Sequence, residues 1–568
     1  MEIPLLNDIV IIFGLSIAIL FICHRLRVPT IVGFLLAGIL VGPYGLGLVK
    51  AIHEVEILAE IGVVLLLFTI GIEFSIQRLL QIKKSVLMGG SIQVLLTFGV
   101  AFGIARELGQ PAGNSIFIGF LISLSSTAIV LKLLQEKAEV DSPHGRTALG
   151  ILIFQDIIIV PMMLITPLLA GTEGDTGEAL LILIPQTIGI IGLVIISAKW
   201  LVPYILHQIA RTRIQELFLL SIILICLAVA WVTSRIGLSL PLGAFLAGLI
   251  ISESEYSHQA LGNILPLRDV FISFFFVSIG MLLDIDVLFH QPASIALITL
   301  CVLVLKSGIA AFTTVLLGFP LRSAILVGLA IGQVGEFSFI LSEIGIEHDL
   351  LPGNIYQLFL AVSILSMAAT PFILALAPKL ANTILRLPLP QRLVSGIYPV
   401  SESEAGNPKD HLVIIGFGIV GRNVARAAKF ADIPYAIIEM NPETVRTEKR
   451  KGEPIYYGDA THQTVLEKAN IKDAKIVVVA INDPTATRRI IDLIRRISPT
   501  VYLIVRTRYL QEMKDLYALG ADEVIPEEFE TSMEIFARVL TKYLIPREEI
   551  ERLLAEVRAD GYDILKDF

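Results

Sequence analysis

Long apolar runs, separated by short polar connections, occupy the chain from about residue 5 to about residue 386. A helix needs about 20 apolar residues to cross the hydrocarbon core of a bilayer. The pattern therefore predicts an all-α polytopic membrane domain over residues 1–386, with about thirteen crossings. The predicted segments are 5–24, 28–48, 56–74, 85–107, 113–134, 147–170, 181–206, 215–235, 238–252, 267–284, 292–318, 323–345 and 355–385. The first is not predicted to be a cleavable signal, because no basic stretch precedes it and the chain stays hydrophobic after it.

After residue 386 the pattern becomes that of an ordinary globular α/β domain. Residues 387–408 are polar and contain prolines, which predicts a linker. Residues 409–545 alternate between helical patterns and buried-strand patterns, the latter at 411–418, 435–439, 454–457, 475–481, 501–506 and 523–526. This alternation predicts a doubly wound parallel sheet, that is, a Rossmann-like domain. Residues 546–568 are predicted to form an acidic C-terminal helix or tail.

Composition supports a chain whose two parts lie in different solvents. Charged residues make up 17% of the 568 residues and hydrophobic residues 55%, whereas soluble domains contain roughly 25% charged residues. The 44 Lys and Arg against 52 Asp and Glu give a net charge of −8, so nothing predicts a nucleic-acid partner. Cys23, Cys226 and Cys301 lie in apolar runs without metal or redox spacing, which predicts buried structural thiols.

Basic residues concentrate in every second connection between the predicted segments. These connections carry Arg25, Arg27, Arg78, Lys83, Lys84, Lys132, Lys137, Arg146, Arg211, Arg213, Arg268, Arg322, Lys379, Arg386 and Arg392, whereas the others are mainly acidic. Cytoplasmic loops of membrane proteins carry the Lys and Arg excess. The N-terminus is therefore predicted to lie outside and the C-terminal domain in the cytoplasm, with the helices surrounded by membrane lipid.

The sequence resembles itself at a shift of about 209 residues. Residues 33–40 match 243–250, Phe68–Gly71 matches Val277–Gly280, 123–127 falls against 332–336, and Pro161 falls against Pro371. The shift spans about seven segments, and an odd number reverses the direction of crossing. The pattern therefore predicts an inverted repeat, which is typical of secondary transporters with a site at the bilayer midplane. Chance recurrence of small-residue packing patterns is the alternative.

Two repeat-related segments carry hydroxyls and glycines at mid-membrane depth. They are Ser123-Leu-Ser-Ser-Thr127 and Gly332-Gln-Val-Gly-Glu336. Such residues loosen a helix, and hydroxyls can satisfy freed backbone groups. The pair predicts two discontinuous helices that cross at the midplane, with exposed carbonyls facing a cation. Ordinary Ser/Thr packing is the alternative, and whether Glu336 lines the ion path is left open.

Asp156 lies near the middle of an apolar segment, where an ionisable residue is by default a functional-site hypothesis. A carboxylate there can bind a proton or, through its oxygens, a desolvated cation. Because the two exclude each other, one carboxylate is the minimal device for exchange. Lys306 is the natural partner, since pairing offsets part of the cost of burying both charges. We expect cation uptake to loosen this contact; a pair that serves only assembly is the alternative. Glu73, near a cytoplasmic end, is predicted to be interfacial.

The C-terminal domain carries a candidate nucleotide site. Gly416, Gly418 and Gly421 form a G-x-G-x-x-G motif between a predicted strand and a helix, as the Rossmann fingerprint requires. Glu439 ends the next strand, where a carboxylate accepts ribose hydroxyls. The candidate nucleotide-binding residues are Gly416, Phe417, Gly418, Ile419, Val420, Gly421, Glu439, Asp459, Ala460, Thr461 and Asn482. Since no acid–base pair or second catalytic domain accompanies them, a nucleotide sensor is predicted rather than an enzyme. A scaffold used only for dimerisation is the alternative.

Together these residues resemble the monovalent cation:proton antiporter-2 family, of the Kef type, over nearly the whole chain. The motifs that carry the resemblance are 66–73, 124–128, Phe154-Gln-Asp156, 332–337 and the C-terminal domain, which resembles the TrkA-N (RCK) module. The resemblance implies a homodimer with the sodium/proton-antiporter fold, an elevator-like motion, and adenine-nucleotide binding (AMP or NAD(H)) as regulation. Relatives that move net charge carry two adjacent aspartates; Gln155 in place of the first resembles the electroneutral branch.

Residues 252–258 resemble the potassium-efflux members, but 259–266 lack their acidic run, so glutathione gating is not implied. The candidate ion-binding and proton-binding residues are Ser125, Ser126, Thr127, Gln155, Asp156, Lys306 and Glu336, with Asp156 as ligand of the transported K⁺ or Na⁺. The predicted function is electroneutral exchange of K⁺ or Na⁺ for H⁺ by alternating access, regulated by a nucleotide. A nucleotide-gated potassium channel and a membrane-anchored nicotinamide oxidoreductase are the alternatives. The choices between K⁺ and Na⁺, and between AMP and NAD(H), stay open.

Overall fold

The computed structural model divides into two compact units. It describes residues 4–26, 28–73, 84–137, 139–140, 142–169, 202–212, 214–235, 239–252, 254–385, 409–508 and 512–567. The helical unit comprises residues 1–130, 148–310 and 328–375, and the sheet unit comprises residues 131–147, 311–327 and 376–568. The predicted linker, 387–408, lies outside the described residues.

The apolar runs form helices. Their bounds are Pro4–Leu26, Thr30–Val41, Ile52–Glu73, Lys84–Glu107, Ala112–Ser123, Thr127–Glu136, Pro143–Leu169, Val202–Ala210, Gln215–Ser234, Leu240–Ser252, Ser257–Met281, Ile285–His290, Pro292–Leu316, Leu321–Ala330, Phe337–Glu347 and Gly353–Ile384. Within the described ranges, nine helical stretches are long and apolar enough to cross a membrane, and three shorter helices are also apolar. The exact number of crossings stays a prediction.

Several predicted segments differ from the helices observed. Segments 113–134 and 323–345 are each divided into two helices. Segment 267–284 belongs to a longer helix that begins at Ser257, because Pro266 and the polar residues before it interrupt the apolar run but not the helix. Most of segment 181–206 lies outside the described residues. Cys23 and Cys226 are buried, but Cys301 is exposed, so the prediction for Cys301 is wrong; an apolar helix in a membrane also directs such side chains outward.

Two pairs of glycines bring four helices of the helical unit into backbone contact. A Cβ added to Gly38 would lie 2.1 Å from the carbonyl oxygen of Val277, beside Gly280, and a Cβ added to Gly71 would lie 2.2 Å from that of Phe245, beside Gly248. Small residues permit such close approach. The repeat aligns Gly38 with Gly248 and Gly71 with Gly280. The Gly38–Gly280 contact in one pair of helices therefore corresponds to the Gly248–Gly71 contact in the other. This reciprocal contact supports a structural repeat over a chance pattern.

The sheet unit contains six parallel strands in the order β3-β2-β1-β4-β5-β6. The strands are β1 His411–Ile415, β2 Tyr435–Glu439, β3 Ile455–Tyr457, β4 Ala474–Val479, β5 Tyr502–Thr507 and β6 Glu523–Pro526. This is the order of a doubly wound Rossmann sheet, so the predicted α/β fold is confirmed. The helices are Ile419–Phe430, Pro442–Arg450, Gln463–Lys468, Pro484–Ile497, Met513–Ala518, Glu527–Lys542 and Arg547–Asp567, with a 3₁₀ turn at Ile471–Asp473.

Apolar residues on both faces of the sheet bury it between helices. Val413 and Ile415 of β1 pack in one core with Ile490 of the Pro484–Ile497 helix. Leu412 and Ile414, which alternate with them, pack in a second core on the other face. A strand buried on both faces reads as a continuous apolar run, which is why His411–Ile415 could be identified from sequence. The carboxyl ends of the strands are left at one edge, where nucleotides bind in such folds.

Candidate functional site

The two broken helices meet at their breaks. Residues 124–126 separate Ala112–Ser123 from Thr127–Glu136, and residues 331–336 separate Leu321–Ala330 from Phe337–Glu347. The Gly335 N–H donates to the Leu124 carbonyl at 3.1 Å, and the Ser125 hydroxyl donates to the Ile331 carbonyl at 2.8 Å. A Cβ on Gly335 would lie 2.4 Å from the Ser125 carbonyl carbon. The predicted crossing of two discontinuous helices is therefore confirmed.

Lys306 anchors the crossing through backbone carbonyls. Its fully buried ammonium donates to the Leu124 carbonyl at 2.6 Å and to the Gln333 carbonyl at 2.7 Å. The repeat aligns Leu124 with Gln333; Leu124 directly follows the Ala112–Ser123 helix, and Gln333 lies three residues after the Leu321–Ala330 helix. A cation at that end of a helix interacts favourably with its dipole. The exposed carbonyls thus bind the side-chain cation of Lys306. The prediction that they face a transported cation stays a prediction.

The predicted ion pair between Lys306 and Asp156 is therefore wrong. Within the part of the chain that the structure describes, Lys306 forms no ion pair with Asp156, because the carbonyls freed by the breaks accept the hydrogen bonds of its ammonium. Carbonyls that have lost their helical partners are strong acceptors. The hypothesis that cation uptake loosens a contact between Asp156 and Lys306 loses its basis.

Asp156 lies beside the first break. The Thr127 hydroxyl is 2.9 Å from Oδ1 and 3.0 Å from Oδ2 of Asp156. The Asp156 side chain is only partly buried, so the carboxylate is not sealed inside protein. A carboxylate and a hydroxyl at this separation can both direct oxygens at a small cation, and oxygen ligands are what alkali and other hard cations require.

Gln155 holds the first break in place through a chain of buried amides. Its Oε1 accepts the Ser125 N–H at 2.7 Å, and its Nε2 donates to Gln93 Oε1 at 2.6 Å. The chain continues from Gln93 Nε2 to the Thr97 hydroxyl at 3.1 Å. Gln155 thus contributes a neutral group beside Asp156. Sequence reasoning missed Gln93 and Thr97, although polar residues four positions apart in an apolar helix were the available signal.

Glu336 lies at the opposite helix ends from Lys306. Its Oε1 accepts the Ala128 N–H at 3.4 Å, in the first turn of the Thr127–Glu136 helix. A negative group near a helix N-terminus is favourable. Lys306 and Glu336 therefore compensate the four half-helix ends with opposite charges. A role for Glu336 in the ion path stays a prediction.

The glycine motif has the geometry of a phosphate-binding turn. Gly416 has φ +96°, a region that favours glycine. A Cβ on Gly421 would lie 2.0 Å from the Gly416 carbonyl oxygen, whereas a Cβ on Gly418 would meet nothing within 4 Å. Gly418 caps the Ile419–Phe430 helix without a side-chain hydrogen bond. The turn is tight where the chain packs on itself and open where the helix begins, which suits a phosphate at the helix N-terminus.

Glu439 ties the second strand to the glycine turn. Its Oε2 accepts the Phe417 N–H at 2.7 Å, and its Oε1 accepts the N–H groups of Met440 and Asn441 at 2.8 and 2.7 Å. A carboxylate offers about four acceptor positions, so these three bonds leave one for a ribose hydroxyl. The Glu439 side chain is partly exposed, which suits the predicted role.

Two further candidate residues present buried polar atoms at the same edge. The Thr461 N–H donates to Asp459 Oδ1 at 2.9 Å. Among the described residues, Asp459 Oδ2 and the Thr461 hydroxyl have no hydrogen-bond partner although both are buried. Buried polar atoms nearly always find a partner, so these residues fit a polar ligand such as a nucleobase or ribose. Asn482 is held by Arg506, which donates to its side-chain oxygen.

Comparison with known proteins defines the class to which this architecture belongs. The family model "Sodium/hydrogen exchanger, transmembrane" matches residues 11–377, and "TrkA-N domain" matches residues 412–527. The chain therefore belongs to the sodium/hydrogen exchanger family. The two matches together with a relative named KefB, described below, identify it further as a member of the Kef-type branch, so the resemblance noted in the sequence is confirmed.

Relatives cover nearly the whole chain. KefB of Alkalimonas amylolytica is 31% identical over 563 residues, which is 99% of this chain and 85% of KefB. The chloroplastic K(+) efflux antiporter 1 of Arabidopsis thaliana is 35% identical over 93% of this chain but only 44% of that protein. The sodium proton antiporter MjNhaP1 from Methanocaldococcus jannaschii, at 17% identity, covers 67% of this chain and 100% of MjNhaP1 with a TM-score of 0.52. The helical fold is therefore that of a sodium/proton antiporter.

The chain is accordingly a multi-pass membrane protein and a cation/proton antiporter with a TrkA-N domain. Its relatives are transporters.

Proposed function

We propose that the protein exchanges one monovalent cation, K⁺ or Na⁺, for one proton at Asp156, without net charge movement. We further propose that an adenine nucleotide bound to the TrkA-N domain regulates this exchange. The observation that carries the proposal is the contact of Asp156 with Thr127 beside the crossing. A single acidic side chain with a neighbouring hydroxyl can hold a cation or a proton, but not both.

The neighbours of Asp156 support one-for-one exchange. Gln155 is a neutral amide whose oxygen and nitrogen are both engaged, so it adds no titrating charge. Lys306 is bound to two carbonyls, and its charge need not change when Asp156 changes occupant. If Asp156 alone alternates between proton and cation, each half-cycle carries the same charge, and the exchange is independent of membrane voltage.

The crossing supports alternating access. The breaks are joined by direct hydrogen bonds between their backbones and side chains, so Asp156 and both breaks can move as one body. Such a body, moving against the rest of the membrane domain, exposes the midplane site to each side in turn.

The same proposal includes the orientation, the assembly and the domain organisation. The C-terminal domain lies in the cytoplasm, below an inner membrane, and the protein is a homodimer. The domain bounds are 1–386, 387–408, 409–545 and 546–568. The Lys and Arg bias and the family resemblance support these statements.

The names of the relatives leave two candidates for the transported cation, K⁺ and Na⁺. Both relatives are named for K(+) efflux, and the structural neighbour is named for sodium. Oxygen ligands suit both ions, and the number and spacing of ligands decide between them.

Two features of the sheet unit support a nucleotide as the regulatory ligand. The open space at Gly418 suits a phosphate, and the unpartnered polar atoms of Asp459 and Thr461 suit a polar base or ribose.

Reconstituted exchange tests the proposal. The full chain in proteoliposomes, under a K⁺ or Na⁺ gradient and with membrane voltage clamped by an ionophore, should change the internal pH at a rate that voltage does not alter. Asp156→Asn should abolish this change, and Asp156→Glu should retain part of it. Salt-driven current without cation-dependent pH change would instead identify a channel, and undiminished exchange by Asp156→Asn would overturn the assignment of the site.

The hydroxyl beside the carboxylate has its own test. Thr127→Val removes the oxygen with little change of shape and should raise the cation concentration for half-maximal exchange, by roughly tenfold for about 1.4 kcal/mol of lost interaction. Thr127→Ser keeps the hydroxyl and is the matched control, expected to resemble the native protein. Equal behaviour of the two variants would remove Thr127 from the ion site.

A further inference from the structure

One short segment of the membrane domain contacts the carboxyl edge of the sheet at three points. This docking segment, Gly318–Ser323, belongs with the sheet to the same compact unit. The Tyr457 hydroxyl donates to the Gly318 carbonyl. Arg322 Nη1 donates to Asp483 Oδ2 at 2.6 Å, and the Ser323 hydroxyl makes a weaker contact with Met440 Sδ at 3.5 Å. The docking segment is therefore held by the last residue of β3 and by the loops after β2 and β4.

The central contact is a buried ion pair. Arg322 is 2% exposed, and the Asp483 side chain is 10% exposed. The second carboxylate oxygen, Oδ1, accepts the Ala486 N–H at 2.9 Å and caps the Pro484–Ile497 helix. Removing one partner of a buried pair leaves an uncompensated charge, which is strongly unfavourable. The docking segment and the start of that helix therefore hold each other in position.

Each residue that contacts the docking segment is close in sequence to a candidate nucleotide-binding residue. Met440 follows Glu439, and Asp483 follows Asn482. Tyr457 precedes Asp459 by two residues, and the Asp459 charge also acts on Arg322. A ligand that reorders the loops after β2 and β4 therefore also displaces Met440 and Asp483, two of the groups that hold the docking segment.

The docking segment leads directly to the second break. Its last residues begin the Leu321–Ala330 helix, which is a single stretch of about three turns. The next residues include Ile331 and Gln333, whose carbonyls accept the Ser125 hydroxyl and the Lys306 ammonium. A helix transmits displacement along its axis because its backbone hydrogen bonds keep it stiff. A displacement of Arg322 along the helix axis would therefore also move the residues of the second break.

We propose that the docking segment transmits nucleotide occupancy to the ion site, with the Arg322–Asp483 ion pair as the latch between them. The inference rests on the proposed exchange and its nucleotide regulation, and adds the physical connection between the two sites. The latched pair fixes the first turn of the second broken helix. A nucleotide that favours one arrangement of the loop bearing Asp483 shifts the exchanger toward one of its conformations, as any ligand with unequal affinity for two states does.

The test compares exchange by the full chain in proteoliposomes with and without AMP, and separately with NADH. The variants are Asp483→Asn, Arg322→Gln and the two combined. Asn caps helices as well as Asp does, so Asp483→Asn removes the charge but keeps the helix start. Asp492→Asn is the matched control, because Asp492 lies on the same helix with a side chain that is 46% exposed and bound to Arg496. Calorimetry on each protein measures nucleotide affinity.

The native protein should change its exchange rate by about 5-fold or more on nucleotide binding, the lower end of usual coupling. In Asp483→Asn and Arg322→Gln this ratio should fall to about 1, with nucleotide affinity within about twofold of native. The combined variant should lose no more than either single one, because both remove the same contact. The Asp492→Asn ratio should equal the native ratio.

The contrary outcomes separate the latch from the proposed function. A native-like ratio in Asp483→Asn and Arg322→Gln would overturn the latch and leave nucleotide regulation standing. Loss of nucleotide affinity in these variants would place the pair in the binding pocket and also overturn the latch. A native protein that binds the nucleotide without any change in exchange rate would refute the regulation and the latch together, while the exchange itself would stand.

Discussion

Replacing Gly335 by alanine perturbs the crossing at its tightest point. A Cβ there would lie 2.4 Å from the Ser125 carbonyl carbon and 2.5 Å from its oxygen, where real Cβ atoms stay at least 3.0 Å away. Both obstructing atoms are backbone, so no side-chain rotation relieves the contact. The two breaks must therefore separate by at least 0.6 Å. That movement lengthens the Gly335–Leu124 hydrogen bond from 3.1 Å beyond the usual range.

The cost can be estimated from these contacts. Overpacking a close-packed site costs about 1–3 kcal/mol. Loss of one backbone hydrogen bond adds about 0.5–1.5 kcal/mol. We therefore expect Gly335→Ala to destabilise the protein by about 2–4 kcal/mol, and to misplace the carbonyls that hold Lys306.

Thermal unfolding of the purified full chain in detergent, together with exchange in proteoliposomes, measures the effect. Gly308→Ala is the matched control: Gly308 lies within the Pro292–Leu316 helix that bears Lys306, and a Cβ there meets nothing within 4 Å. Alanine is the better helix former by up to about 1 kcal/mol, so the control should be as stable as the native protein or more so. If Gly335→Ala unfolds and exchanges like Gly308→Ala, the breaks do not cross in contact.

Three further results are expected. Gly418→Ala should leave thermal stability unchanged, because its Cβ meets nothing within 4 Å. It should weaken nucleotide binding about tenfold in calorimetry, because the methyl group fills the space of the phosphate. Unchanged affinity would mean that the phosphate does not bind at this turn. Lys306→Met should be less stable than Lys306→Gln, because methionine leaves two buried carbonyls without a donor, at about 1–3 kcal/mol each, and the reverse order of unfolding temperatures would contradict the anchoring of the crossing. Burial opposes ionisation of Asp483, but the Arg322 guanidinium outweighs it and holds the pKa of Asp483 below its ordinary value of 3.8. Its stabilisation is therefore present above that value and lost as pH falls through the lower folded pKa, so the unfolding temperatures of the native protein and Asp483→Asn should converge only under acid conditions; a difference that grows in acid would be contrary.

Elements that depend on the pattern of neighbouring residues could be predicted from the sequence. The six strands appear as short apolar runs because a parallel sheet is buried on both faces. The glycine turn follows from spacing, since Gly416 and Gly421 meet conformational and packing demands that only glycine satisfies. The broken helices were visible because the repeat places Ser and Gly residues at matching depths, so two weak signals support each other.

Features that depend on backbone groups or distant contacts could not be predicted. Two opposite charges in apolar helices suggest an ion pair, but the acceptors that Lys306 uses are main-chain carbonyls exposed by the breaks. Main-chain carbonyls are identical in every sequence, so no side-chain pattern reveals them. The Arg322–Asp483 pair joins residues 161 positions apart, and charged residues near a membrane surface usually face water.

The number of protons released when K⁺ binds to the purified protein tests the single-carboxylate mechanism most directly. Calorimetric titration with K⁺ in buffers of different ionisation enthalpy gives this number at each pH, because released protons are taken up by the buffer. With Asp156 as the shared site, the number should rise to one as the pH falls through the range where the free carboxyl becomes protonated, and Asp156→Asn should show neither binding nor release. K⁺ binding that releases no proton at any pH, or that persists in Asp156→Asn, would contradict exchange at this carboxylate.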